Sequence, residues 1–480
     1  MKPLTARHEA APAAASRTPS VRWALAGLSL SMLLSSLGTS IANVGLPTLA
    51  QEFAASFQDV QWVVLAYLLA ITTVIVSVGR IGDIIGRRRL LLTGIVLFTA
   101  ASVLCGIAPT FWLLIAARAA QGLGAAVMMA LTMALVGETV AKEKTGSAMG
   151  LLGSMSAIGT ALGPALGGIL ISGLSWRAMF LINIPLGVLA LLLAHRHLPL
   201  DRPEPTSDRA RFDLAGTVLL ALSLGAYALA MTTGRGSFGP VNLTLLIAAG
   251  VGIGLFVRIQ KRAAAPLIRL AMFRNPALSA GFAMSALVTT VVMSTLVVGP
   301  FYLSGALGLD AAQVGLVMSS GPIVAALTGA PAGRFVDRFG SHRVSIVGLL
   351  AMAAGSASLP VLATRFDVPG YIAPLVVITA GYAMFQAANN TAVMTSIGSD
   401  QRGVTSGMLK LSRNLGLITG ASVMGTVFAR GSATTNILTA GPESVATGMR
   451  VTFVVAAILI LIALTIALGS RALSRRTSHE

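Results

Sequence analysis

The chain has 480 residues, 55% of them hydrophobic and 10% charged, with a mean hydropathy of +0.84. Soluble domains carry roughly 25% charged residues, so this composition excludes a water-exposed globular protein, a disordered chain, a collagen and a small disulfide scaffold. A formal charge of +18 would suit a nucleic-acid partner, but no basic stripe with interleaved aromatics occurs, and the single cysteine, Cys105, permits no internal disulfide.

Residues 1–20 form a polar tail rich in Ala, Pro and Arg, with no removable signal peptide. Apolar stretches follow at 22–44, 60–79, 90–108, 111–137, 147–171, 178–194, 214–232, 241–257, 277–302, 314–332, 344–363, 371–394, 404–428 and 451–469. Most approach the roughly 20 residues a helix needs to cross a bilayer core. The reading is an all-α integral membrane protein with 14 transmembrane helices. With the N-terminus inside, 26 Lys and Arg fall in cytoplasmic segments and five outside (Arg177, Arg235, Arg365, Arg430, Arg450). That bias predicts both termini in the cytoplasm and makes the basicity a report on topology.

One pattern occurs twice. Gly79, Asp83, Gly86, Arg87, Arg88 and Arg89 follow the second span; Gly333, Asp337, Arg338, Gly340 and Arg343 follow the tenth. Two parallel six-helix halves with an inserted pair between them account for the 254-residue offset. The domain reading is a tail at 1–20, an N-terminal bundle at 21–195, a linker and two extra helices at 196–262, a C-terminal bundle at 263–470 and a tail at 471–480.

Within the spans, Gly159, Gly163 and Gly167 recur at i, i+4 and i+8 on one helix face, beside Pro164 and Gly168. Such a face allows close backbone approach, serving either plain packing or a pivot. Arg118 lies several residues inside the fourth span with Gln121 on the same face. An intramembrane Arg costs about 2.5 kcal/mol or more and marks a functional site by default; the bland alternative is snorkelling to the outer interface.

On these residues the chain resembles the major facilitator superfamily, in its fourteen-helix drug:proton antiporter branch. The twin loop resembles motif A, Arg118-Ala-Ala-Gln121-Gly122 resembles motif B, and Gly159 to Gly168 resembles the antiporter motif C. Leu46-Pro47, Trp62 to Tyr67, and Trp176 to Pro185 resemble further signatures of the branch. The resemblance implies that motif C is a pivot sealing one side against proton leak, and that Arg118 tunes a nearby proton site. It implies that Asp83 sits against the start of the thirteenth span, near Arg402 and Gly403, with Arg87 bridging Asp83 to Glu138; the alternative is a solvated cluster that only sets topology. Arg118, Asp83 and Glu138 are thus the proton-coupling candidates. Ile84 departs from the usual basic residue, which thins the loop network.

A larger departure lies in the first span, where Gly38 stands at the position of the branch's usual Asp. No Asp, Glu or His lies mid-span anywhere; Asp83, Glu138 and Asp310 are at rims, and His195 and His197 belong to a loop, so no metal site is expected. What the spans offer is neutral or basic: Asn43, Tyr67, Gln121, Tyr227, Tyr302, Gln386, Asn389 and Asn390, with Lys410 and Arg413 one turn apart. All but Tyr227 are carried as substrate candidates. A pocket without an anion favours neutral or anionic substrates over cations.

The expected function is export of small hydrophobic compounds by alternating access, with proton antiport implied by the resemblance and no cofactor beyond the proton gradient. The expected setting is a monomer in the cell inner membrane, whose partners are substrate, protons and lipid. The alternatives are a dedicated metabolite carrier of the same fold and a non-transporting sensor. An ATP-driven pump lacks its phosphate loop, and a membrane enzyme lacks clustered His, Cys or acids.

Overall fold

A computed structural model describes residues 20–141, 145–201, 213–233, 239–263, 270–397, 402–433 and 440–477, which are helical with no strand among them. Numbering the long helices only, α1 is Val21–Val44, α2 Trp62–Ile85, α3 Arg87–Ile107, α4 Phe111–Thr139, α5 Thr145–Gly173 and α6 Asn183–His197. Next come α7 Leu214–Thr232, α8 Pro240–Arg262, α9 Pro276–Gly305, α10 Ala311–Phe339, α11 Ser341–Thr395, α12 Arg402–Thr419 and α13 Pro442–Thr477. Among the described residues, twelve helical segments are long and apolar enough to span a membrane.

Local chemistry explains where the helices start. Asn275 accepts from Ala277 N–H at 3.0 Å, with Pro276 at the first helical position of α9. Asp310 and Gln313 form a reciprocal capping box on α10, at 2.8 and 3.1 Å, which satisfies donors the helix itself cannot. Inside the spans, buried hydroxyls turn back on the preceding turn, as Ser31 does to Gly27 O and Ser35 to Ser31 O, both at 2.9 Å. Serines and threonines are thereby tolerated where water is absent.

Several boundaries differ from the expected ones. The sixth stretch begins as a short helix, Ala178–Leu181, before α6. α6 runs to His197, past the expected linker start at 196, and α13 runs to Thr477, through most of the expected tail. The eleventh and twelfth stretches fall in the single 55-residue α11, which breaks at Phe366 and Asp367 (φ 49°). α12 continues through a π-turn, Gly420–Met424, into Gly425–Gly431.

In the N-terminal half α1 packs along α5, α2 and α3 along α4, and α6 against α1 and α3; in the C-terminal half α9 meets α12 and α13, and α10 meets α11. The halves join where α5 lies against α10. α7 and α8 pair with each other, and α7 bridges both halves. On α2, Ser77 bonds Thr217 and Trp62 Nε1 donates to Thr232 Oγ1, both at 3.1 Å. On α12 and its continuation, Tyr227 bonds Thr419 at 3.1 Å and Thr426 donates to Met231 O at 2.5 Å.

One end of the molecule, here the basal end, gathers the start of α1, the α2–α3 turn and the ends of α4 and α6. There Arg88 donates to His195 O, and Arg87 meets Glu138, each at 2.5 Å. Lys410, early in α12, brings that helix to the same end, 3.2 Å from Met133 Sδ. At the opposite, distal end the halves are clasped by aromatics. Phe57, in a short helix Phe57–Val60, lies 4.7 Å from Phe301 and 5.2 Å from Phe428 between ring centroids.

Candidate substrate cavity and conformational seam

A cavity of about 560 Å³ lies between the halves. α1 and α5 line one wall with hydroxyls and an amide: Ser36, Ser40, Asn43, Ser156 and Thr160. Ser36 and Ser156 bond each other at 2.7 Å, which ties α1 to α5 at the wall. The opposite wall carries Met293 and Leu296 from α9, Tyr382, Gln386 and Asn390 from α11, and Arg413 and Asn414 from α12. Among the described residues lining it there is no Asp or Glu.

The nine substrate candidates divide. Asn43, Gln386, Asn390 and Arg413 line this cavity. Asn389, one residue before Asn390, faces α9 and donates to Gly281 O at 3.0 Å. Tyr302 stacks on Tyr371 inside the C-terminal half, 6.0 Å between centroids. Lys410 turns away to Met133 on α4. Tyr67 and Gln121 belong to the Arg118 network. Tyr382 and Asn414 escaped the sequence reading, as did the hydroxyl wall, although Ser36, Ser40 and Asn43 recur at helical spacing on α1.

Arg118 is fully buried, so it does not snorkel. Its Nε donates to Val63 O at 2.8 Å, and one terminal nitrogen donates to Gly38 O at 3.1 Å and Gln121 Oε1 at 2.5 Å. The guanidinium lies 4.3 Å from the Tyr67 ring centroid, and Gln121 passes the chain of bonds to Ser102 at 2.7 Å. Tyr67 Oη donates to Ser35 O at 2.8 Å. Thus Arg118 and Tyr67 hold the back of the α1 turns whose front lines the cavity. Gly38 is packed tightly there, since a Cβ on it would lie 3.1 Å from Tyr67 Oη and 3.2 Å from Phe98.

The glycines of α5 face two ways. A Cβ on Gly159 would meet Leu33 O, and one on Gly163 would meet the Ser40 side chain and lie 2.9 Å from Ile41 N. Gly167 also faces α1, 2.8 Å from Val44 by the same measure. Gly168 instead faces α10, where a Cβ would meet Ala311 O and lie 3.0 Å from Gly315 Cα, while Gly315 in turn abuts Pro164 O. Ser172 Oγ accepts from Ala312 N–H at 3.0 Å just beyond. The end of α5 therefore forms a backbone-to-backbone seam with the start of α10 at the distal end.

The twin loops are not equivalent. In the first, the Arg87–Glu138 pair is half-exposed at 36% and 43%. Asp201 caps α3, accepting from Arg88 N–H at 2.8 Å and Arg89 N–H at 3.1 Å beneath Gly86 (φ 103°). Sequence reasoning left Asp201 in the linker; nothing local marks a cap contributed from 113 residues away. The Asp83, Arg402 and Gly403 side chains lie outside the described residues, and Gly79 has open space around it. In the second loop Gly333 and Gly340 (φ 82°) are also unobstructed, Asp337 is exposed, and Arg338 lies 5.3 Å from the Phe339 ring.

The family model described as Major Facilitator Superfamily matches residues 28–421. The chain belongs to that superfamily. Its relatives include an uncharacterized transporter, YebQ, of Escherichia coli, 35% identical over 81% of this chain and 85% of that one. The multidrug resistance protein Stp of Mycobacterium tuberculosis is 32% identical over 84% and 74%, and the riboflavin transporter RibZ of Clostridioides difficile 28% over 84% and 87%. The fold matches a bacterial homologue of the lysosomal transporter Spinster, solved inward-facing and occupied, with TM-score 0.68 at 16% identity over 94% of this chain and 97% of that one. This member of the superfamily is a multi-pass membrane transporter rather than an enzyme, with multidrug efflux proteins among its homologues.

Proposed function

We propose that the chain exports small hydrophobic compounds, neutral or anionic rather than cationic, by alternating access of two helix bundles in the inner membrane. The observation that carries this reading is the cavity: it is shared by both halves, shut at the distal seam, largely apolar, and free of carboxylates among its described lining. In the same proposal both termini are cytoplasmic, which makes the distal end external and the cavity a substrate site shut to the outside. The multidrug names among the relatives support export.

The proposal includes fourteen spans, the α7–α8 pair being the insertion. A straight 55-residue helix would extend ~80 Å at 1.5 Å per residue, against a hydrocarbon core of about 30 Å. The break at Phe366 and Asp367 therefore supports two spans in α11, and α12 with its continuation supplies another. Proton antiport by a monomer, with the proton carried at a rim acid such as Asp83 or Glu138, completes the reading.

The test is proton release from energised everted vesicles as cationic, neutral and anionic aromatic compounds are added in turn. Neutral and anionic compounds should each discharge the gradient, and Arg118→Ala should abolish the response. A response confined to permanent cations would overturn the substrate class, and silence across all three would overturn antiport.

A further inference from the structure

We propose that the cavity holds its substrate by a carboxylate, clasped between Arg413 and Asn390, so that the preferred cargo is an aromatic or otherwise flat monocarboxylate. The inference rests on the export reading above and names the charge that reading leaves open. Arg413 donates from one terminal nitrogen to Asn390 Oδ1 at 3.1 Å, whereas its Nε is buried without a hydrogen-bond partner. No described acid lines the cavity to neutralise it. Lys410, one turn earlier on α12, turns away to a thioether on α4, which leaves Arg413 as the cation among the described lining.

Arg413 is only partly buried, so its charge reaches the cavity, and a carboxylate is the group whose two oxygens match the guanidinium fork. Asn390 accepts from Arg413 through its oxygen, which leaves its amide N–H groups to donate to the same ligand. Around this polar corner the wall is apolar and broad: Tyr382, Met293 and Leu296. A flat hydrophobic body attached to one carboxylate satisfies both parts, whereas a quaternary ammonium would lie beside the Arg413 guanidinium.

The experiment is equilibrium dialysis of the purified full-length protein against three probes sharing one ring system: 2-naphthoate, 2-naphthylmethanol and (2-naphthylmethyl)trimethylammonium. Wild type should bind naphthoate at least tenfold tighter than the alcohol, and the cation weakest. Arg413→Gln should remove the preference for naphthoate and leave alcohol binding intact, which also reports a folded cavity; Arg413→Lys should keep part of the preference. Equal binding of naphthoate and alcohol by wild type, or an undiminished preference in Arg413→Gln, overturns the carboxylate site alone. Failure of all three probes to bind overturns the export of hydrophobic compounds and the carboxylate site with it.

Discussion

Arg118 keeps a full charge in the membrane interior with only carbonyls, an amide and an aromatic face for company. A second terminal nitrogen is buried without any hydrogen-bond partner. Such a group gains from its hydrogen bonds, yet an intramembrane Arg costs about 2.5 kcal/mol or more, and two of its three acceptors, Val63 O and Gly38 O, are main-chain oxygens inside helices, so its removal strands one side-chain acceptor, Gln121 Oε1. Stability alone therefore gives no reason for an arginine here. Arg118→Met should leave the melting temperature in detergent unchanged or raised, while efflux falls at least tenfold. A sharply lowered melting temperature would make the residue a structural clamp. That an arginine in an apolar span matters was legible from residue type alone. Its partners were not, because Val63 and Gly38 contribute main-chain oxygens, which any residue has. Gly38 was legible as a departure; the reason a side chain is unwelcome there, Tyr67 and Phe98 pressing on its Cα, required the fold.

α5 shows how one helix serves two contacts. Its small-residue face was readable from spacing, but spacing could not separate the glycines that touch α1 from the one that touches α10. The separation matters because α1 belongs to the same half and α10 to the other. Gly163→Val would drive a side chain into Ser40 and the α1 main chain, where overpacking costs typically 1–3 kcal/mol. It should lower the melting temperature and the yield of folded protein. Gly168→Val meets only α10, at a contact that alternating access has to break. It should leave the melting temperature within a few degrees of wild type and favour the conformer open at the distal end, read as several-fold faster labelling of a Ser172→Cys reporter. Cys105 is the chain's only cysteine and is buried, so the reporter carries the signal. Equal loss of stability in both variants would show that the two faces do not act separately. The paired charges on α12 illustrate the same limit: one turn apart in sequence, Lys410 and Arg413 diverge, one to α4 and the other to the cavity.

For the molecule as a whole, the helical membrane-spanning character was legible because apolar length is a strong signal, and the Gly-Asp-Gly-basic loop that occurs twice at a fixed offset pointed to two helix groups, which meet where α5 lies against α10. What could not be read was the state in which the halves meet. Pairwise closure at the distal end depends on Phe57 finding Phe301 and Phe428, and on Gly168 finding Gly315, all long-range contacts without local signature. A transporter that alternates has to part them. Joining Ser172→Cys to Ala312→Cys with a short reducible cross-linker should arrest efflux, and reduction should restore it. Undiminished efflux in the fully cross-linked protein would mean that this seam stays shut throughout the cycle. The asymmetry of the twin loops belongs to the same scale. The first is tied by Asp201 and Glu138, whereas Asp337 in the second is exposed to solvent, so the two loops are alike in sequence and unequal in fastening.

The bridging of both halves by α7 has a consequence for traffic from the lipid. A two-bundle transporter presents two sideways slots to the bilayer, one on each flank of the line where the bundles meet. Here α5 and α10 border one flank, and α7, bonded to Trp62 and Ser77 on one bundle and to Thr419 and Thr426 on the other, boards over the opposite one. A compound dissolved in the membrane would then approach the cavity from one side only, below the distal seam, where Gly153 and Ala157 of α5 and Ala325 and Gly329 of α10 line it.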